Sequence, residues 1–236
     1  MQSTMRDSEK KRMILSFLQK YELDKIFPSL GIDSFDLLHV RKGQIICSKG
    51  DEINNLYFLA EGKVKIYTTT LDDKRLILRF QEALGLIGDI EFIQGTPVLH
   101  TIEASTECYF ITLSYDVLRK TVINDPLFLT FLLDIVTKKF RAKTDAATLN
   151  LLYPVEVRVA SYLLSTKVED ERQLYHEEAK DSSMTDIADM IGTSYRHLNR
   201  VIKKLCNDGV IEKAGGQIFI KNIKMLREIA RNNIYE

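Results

Sequence analysis

Tyr195, Arg196, Asn199, Arg200 and Lys203 fall on one side of a helical pattern within MTDIADMIGTSYRHLNRVIKKL, residues 184–205. These residue types can do a specific chemistry. An arginine can hold guanine O6 and N7 with two hydrogen bonds, and an asparagine can do the same for adenine. A lysine further along such a helix suits a phosphate. The alternative for each is an ordinary solvated surface, so the case depends on what positions them. Leu198, Val201, Ile202 and Leu205 are spaced i, i+3, i+4, i+7 and form the opposite, inward face. Ile187, Met190 and Ile191 make a second apolar set just upstream. Gly192 lies between the sets, where a left-handed backbone would turn the chain sharply. Ala188 leaves room for a helix crossing, and Ser194 or Thr193 suits the cap of the second helix. The pattern is that of a helix-turn-helix.

The flanks extend that unit. Residues 208–222, DGVIEKAGGQIFIKN, read as a hairpin with Gly215 and Gly216 at its tip, the wing of a winged helix. IKMLREIARNN closes it as an amphipathic helix, and VEDERQLYHEEAKDSS ahead of it reads as a polar, exposed connection. The whole chain is neutral, with 33 basic and 33 acidic side chains. From Thr193 onward, however, nine basic residues face four acidic ones, a local surplus of five. That surplus suits a nucleic-acid footprint.

Residues 37–115 have a different period. LYFLAEGKVKIYTTT, RLILRF and ECYFITLS are short, rich in Ile, Leu, Val, Tyr and Thr, and separated by glycines, with LDDKR as a hairpin tip. They predict a jelly-roll type β-roll. An amphipathic lead helix built on Met13, Ile14, Phe17, Leu18 and Tyr21 precedes it. After it, Asp125 and Pro126 open a long helix reaching Leu152, and Pro154 ends it. Phe131, Ile135, Ala142 and Leu149 are the expected dimer seam on that helix. The fold class is therefore α+β. The expected domains are a sensor roll over 1–123, a dimerisation helix over 124–153 and a winged helix-turn-helix over 154–236. No apolar run approaches the length of a membrane helix, which predicts a cytoplasmic protein that does not engage a membrane. Cys47, Cys108 and Cys206 lie far apart, so no metal site and no cofactor are expected from them.

This order and length resemble the cyclic-AMP-receptor-protein/FNR superfamily of bacterial transcription regulators, and within it most the YeiL-type branch. LYFLAEGKVKIY carries the likeness in the roll, LIGDIEFI in the phosphate-binding cassette and DIADMIGTSYRHLNRVIKKL in the DNA reader. The resemblance implies a homodimer on palindromic double-stranded DNA, contact with RNA polymerase and a small-molecule effector of unknown identity. It implies DNA contacts from Ser194, Tyr195, Arg196, Asn199, Arg200 and Lys203. The family's base readers match Tyr195, Arg196 and Arg200; the first two depart from the common arginine and glutamate. An effector pocket is implied at Gly88, Asp89, His100 and Thr101. Cyclic-nucleotide binders of the family also need an arginine in this cassette, yet none occurs from Gln81 to Tyr115. Cyclic AMP is therefore not the expected effector. Two other classes compete: a winged-helix scaffold acting through protein contacts, and a cupin-type metal enzyme. The second needs about three converging ligands, and the roll region offers only His39 and His100 as imidazoles.

Overall fold

The computed structural model describes residues 6–70, 75–165, 167–170, 173–176, 183–214 and 217–232. The expected tips at 71–74 and 215–216 lie outside them. The chain divides into two units, Met1–Thr68 with Leu78–Lys138 and Thr69–Ile77 with Lys139–Glu236.

The first unit opens with α1 (Asp7–Lys20) and α2 (Leu23–Ile26). Ile14, Phe17 and Leu18 are buried, and the Tyr21 hydroxyl donates to the Ala60 carbonyl at 2.7 Å. The lead helix is thus sewn to the roll by its apolar stripe and one hydrogen bond. Strands β1 (Phe35–Val40), β2 (Ile45–Cys47), β3 (Asn55–Glu61) and β4 (Lys63–Thr69) follow. Then come β5 (Arg75–Glu82), β6 (Gly85–Ile87), α3 (Asp89–Gln94), β7 (Thr101–Ala104), β8 (Cys108–Ser114) and α4 (Tyr115–Thr121). They form two four-stranded sheets, β1-β8-β3-β6 and β2-β7-β4-β5. Strand alternation turns Leu56, Phe58, Val64 and Phe110 inward, and all are fully buried. Phe27 meets Phe35, Phe58 and Phe128 with ring centroids 5.7–5.9 Å apart.

Helix α5 (Pro126–Leu152) has 27 residues, about 40 Å of helix. Asp125 Oδ1 accepts the Leu127 amide at 2.8 Å, so the expected acidic start and first-turn proline are both in place.

The second unit contains α6 (Val155–Ser165), β9 (Lys167–Asp170), β10 (Gln173–His176), α7 (Met184–Ile191), α8 (Tyr195–Asn207), β11 (Ile211–Ala214), β12 (Gln217–Ile220) and α9 (Ile223–Ile229). Its core joins Leu149, Tyr162, Leu163, Ile187, Leu198, Leu205, Val210 and Leu226. The polar connection expected before α7 is in fact a pair of strands. The wing sheet has the order β11-β12-β10-β9, with Leu174 opposite Ile220 and Tyr175 opposite Phe219. Charged residues crowd β9 and hide its alternation; it is an edge strand of this sheet, and edge strands commonly carry such charge because it blocks pairing with other chains.

Candidate nucleic-acid interface and sensor roll

Helix α7 starts with a reciprocal cap. The Asp186 amide donates to Ser183 Oγ at 3.1 Å, and the Ser183 amide donates to Asp186 Oδ2 at 3.3 Å. It ends at Gly192, whose φ of +70° and ψ of +46° supply the left-handed turn expected there. Ala188 is 1% exposed. Arg158 of α6 donates from Nη1 to the Ile191 carbonyl and to Asn150 Oδ1. It satisfies a carbonyl that the end of α7 leaves without a helical partner. Nothing in the periodicity marks Arg158 for this work, since on α6 it reads as an ordinary polar position.

Ser194, not Thr193, caps α8, its Oγ accepting the His197 amide at 3.2 Å. Leu198, Val201, Ile202 and Leu205 are all buried. Each such burial contributes about 1.5–3 kcal/mol, so the helix is anchored without using its other side. Tyr195 is 53% exposed. Arg196, Arg200 and Lys203 are exposed, and Asn199 and His197 are half-buried. Two guanidinium groups, an amide, a phenol and an ammonium therefore share one rigid outer surface. Lys204 differs from its neighbour: its Nζ pairs with both Glu156 carboxylate oxygens at 2.8 Å. That hydrogen bond and the carboxylate's charge raise the Lys204 pKa.

In the roll, Gly88 adopts φ +89°, and a Cβ there would stand 2.6 Å from Tyr115 Oη and 2.8 Å from the Asn55 carbonyl oxygen. Tyr115 Oη donates to the Gly88 carbonyl at 2.5 Å. Asp89 is 2% exposed. His100 is half-buried just before β7, and Thr101 Oγ1 accepts the Lys49 amide at 3.1 Å. Sequence reading passed over Arg79, on the neighbouring strand β5. It lies half-buried, and its electrostatic partner is Asp89. The signal that could have found it is its spacing: it shares a strand face with buried Ile77, two residues away.

His39 is engaged elsewhere, with Nε2 2.6 Å from Glu107 Oε1 and its ring stacked on Tyr109. Burial, with Glu91 and Asp51 adding to it, pushes the Cys47 thiol up to about 12. Burial also raises the Cys108 thiol. Among the described residues, no three His, Cys, Asp or Glu side chains gather as a metal site would need, and no helix is long and apolar enough to cross a membrane.

The expected seam residues of α5 lie in different surroundings. Phe131 and Ile135 pack against the first core, Leu149 is 4% exposed within the second, and Ala142 is half-buried. The exposed large apolar residues of α5 are Leu127, Leu129, Leu133, Phe140, Leu151 and Leu152, and Leu129, Leu133, half-buried Val136 and Phe140 line up along one side. From Leu129 to Phe140 their steps are four, three and four residues, the spacing of a coiled-coil seam.

Comparison with known proteins agrees with both halves. Residues 37–125 match the cyclic nucleotide-binding domain, and residues 157–229 match the Crp-like helix-turn-helix domain. The chain is 29% identical to the regulatory protein YeiL of Escherichia coli O157:H7 over 194 residues, 82% of this chain and 85% of that one. It is 22% identical to the fumarate and nitrate reduction regulatory protein of Yersinia pestis, over 82% of this chain and 78% of that one. The solved structure of FixK2 from Bradyrhizobium japonicum superposes with a TM-score of 0.71 at 21% identity, covering 83% of this chain and 96% of that one.

Proposed function

Because the chain belongs to the Crp/Fnr superfamily of transcription regulators, we propose that it controls transcription as a homodimer reading a two-fold symmetric operator in the bacterial cytoplasm. The observation that carries this reading is the outer face of α8, where Tyr195, Arg196, Asn199, Arg200 and Lys203 gather on a helix anchored from its opposite side. Arg196 and Arg200 lie within the first two turns, where a recognition helix meets base edges. They read guanine, and Lys203 meets phosphate. The pairing of Lys204 with Glu156 argues for a structural duty.

The dimer forms along α5 through Leu129, Leu133, Phe140 and Leu151. A two-fold operator of this kind calls for two α8 helices in successive major grooves, about 34 Å apart. Contact with RNA polymerase follows from the same reading. The roll senses a small molecule other than cyclic AMP, because the cassette loop between α3 and β7 brings no cation to a cyclic phosphate.

Sheared genomic DNA captured on the immobilised protein and sequenced tests the reading. Enrichment of discrete fragments sharing an inverted repeat supports it. Capture without sequence preference refutes operator recognition and favours a scaffold that works through protein contacts.

A further inference from the structure

Several tyrosines of this chain have internal work. Tyr21 and Tyr115 donate their hydroxyls to the Ala60 and Gly88 carbonyls, Tyr109 stacks on His39, and Tyr162 is fully buried. Tyr195 does none of this. Its side chain makes no hydrogen bond, ion pair or ring contact among the described residues, and the residue is 53% exposed. Its place on the backbone is nevertheless fixed. Ser194 caps α8, and Tyr195 is the first helical residue after it. Helix propensity does not call for a tyrosine there, since the unbranched side chains and alanine are better helix formers. An aromatic ring is thus held in water at the start of a rigid helix without a packing reason.

Tyr195 is also the one large apolar group among the outer residues of α8. Arg196, Asn199, Arg200 and Lys203 offer charge or an amide. The major groove is uneven in a matching way. Its base edges present hydrogen-bond donors and acceptors at every pair, and a single kind of apolar group, the C5 methyl of thymine. The first turn of a recognition helix is the part that lies against base edges. Guanidinium and amide groups answer the donors and acceptors. A ring face laid on the methyl answers the remaining group, and it takes apolar area on both from water. A phosphate would engage only the hydroxyl and leave the ring wet. We propose that Tyr195 is a specificity-determining residue, selecting a thymine in each half-site by packing its ring against the C5 methyl. This assignment rests on α8 being the operator-reading helix.

Deoxyuridine keeps every hydrogen-bonding group of thymine and lacks only the methyl, so it isolates the contact. A captured operator is resynthesised with deoxyuridine at one symmetry-related pair of thymines at a time, and the affinity of the full chain is measured for each. One pair should lower affinity about fifteenfold, about fourfold for each methyl lost. Tyr195→Ala should bind the thymine operator more weakly by a similar factor and no longer distinguish it from the deoxyuridine form. Tyr195→Phe should keep the distinction. Circular dichroism should show both variants folded, because the core around α8 is built from Leu198, Val201, Ile202 and Leu205. The proposal is overturned if the native chain is indifferent to every deoxyuridine pair, or if Tyr195→Ala remains as sensitive as the native chain. It is overturned equally if Tyr195→Phe loses the distinction as Tyr195→Ala does, since the hydroxyl and not the ring would then be the reader. Preference for operator over random duplex without methyl dependence removes only the Tyr195 assignment; absence of any preference removes the recognition reading with it.

Discussion

Arg196 and Lys204 are both basic residues of α8, yet their surroundings give them different duties. Arg196 is exposed, whereas Lys204 is held by Glu156. Lys204→Ala should leave the slope of log affinity against log salt concentration nearly unchanged, while Lys203→Ala should flatten it by about one phosphate contact per protomer. Filter binding across a salt series reads both. The cysteines separate in the same way. A thiol pushed up to about 12, as Cys47 is, is almost wholly protonated at pH 8, and the thiolate is the reacting form. Iodoacetamide should therefore label half-exposed Cys206 first, with Cys47 and buried Cys108 reacting only on unfolding. Mass spectrometry of native digests checks this; early labelling of Cys47 would contradict the burial assigned to it. The outer residues of α8 were legible in the sequence because its apolar face left them one side to occupy. Arg79 was not, because a charged residue in a strand reads as a surface position until the partner sheet is in view.

Helix α5 shows where periodicity stops being sufficient. It carries apolar residues on more than one side. Phe128 and Leu132 are buried in the roll's core, and Leu133 and Phe140 are 64% and 72% exposed. A heptad count finds apolar spacing on either side and cannot say which one the chain itself covers. The two sides predict different outcomes. Leu133→Glu or Phe140→Glu should split the dimer and leave the protomer folded, as light scattering and circular dichroism would show. Leu132→Ala should instead lower stability by about 2–5 kcal/mol in a denaturant titration. If Phe140→Glu remains dimeric, the seam lies elsewhere. The turn between α7 and α8 was fully legible, because Gly192, Ala188 and the cap each carry a local rule. Ser194→Ala should cost about 1 kcal/mol. Gly192→Ala should cost about 1–2 kcal/mol, entirely from its left-handed backbone; a Cβ there meets Arg158 Nη1 at an ordinary 3.5 Å. Strands β9 and β10 were illegible for the opposite reason, since β12, which ties β10 into the sheet, lies more than 40 residues away and neither short strand carries a clean alternation.

At the scale of the molecule, the neutral net charge conceals a division of labour. The basic surplus lies from Thr193 onward, where nine basic residues face four acidic ones. The helix-turn-helix match lies within the second unit, the cyclic nucleotide-binding match lies mostly in the first, and α5 contributes residues to both. The central claim is that α8 reads base edges and does not merely attach to phosphate. The most direct measurement is the affinity of the native chain and of Arg200→Ala for a selected operator and for a random duplex of the same length, at one salt concentration. The loss of a bidentate guanine contact should cost about 1–3 kcal/mol per half-site on the operator, with the random duplex nearly unaffected. An equal loss on both duplexes would mean that Arg200 only positions the helix, and would contradict base reading by this face.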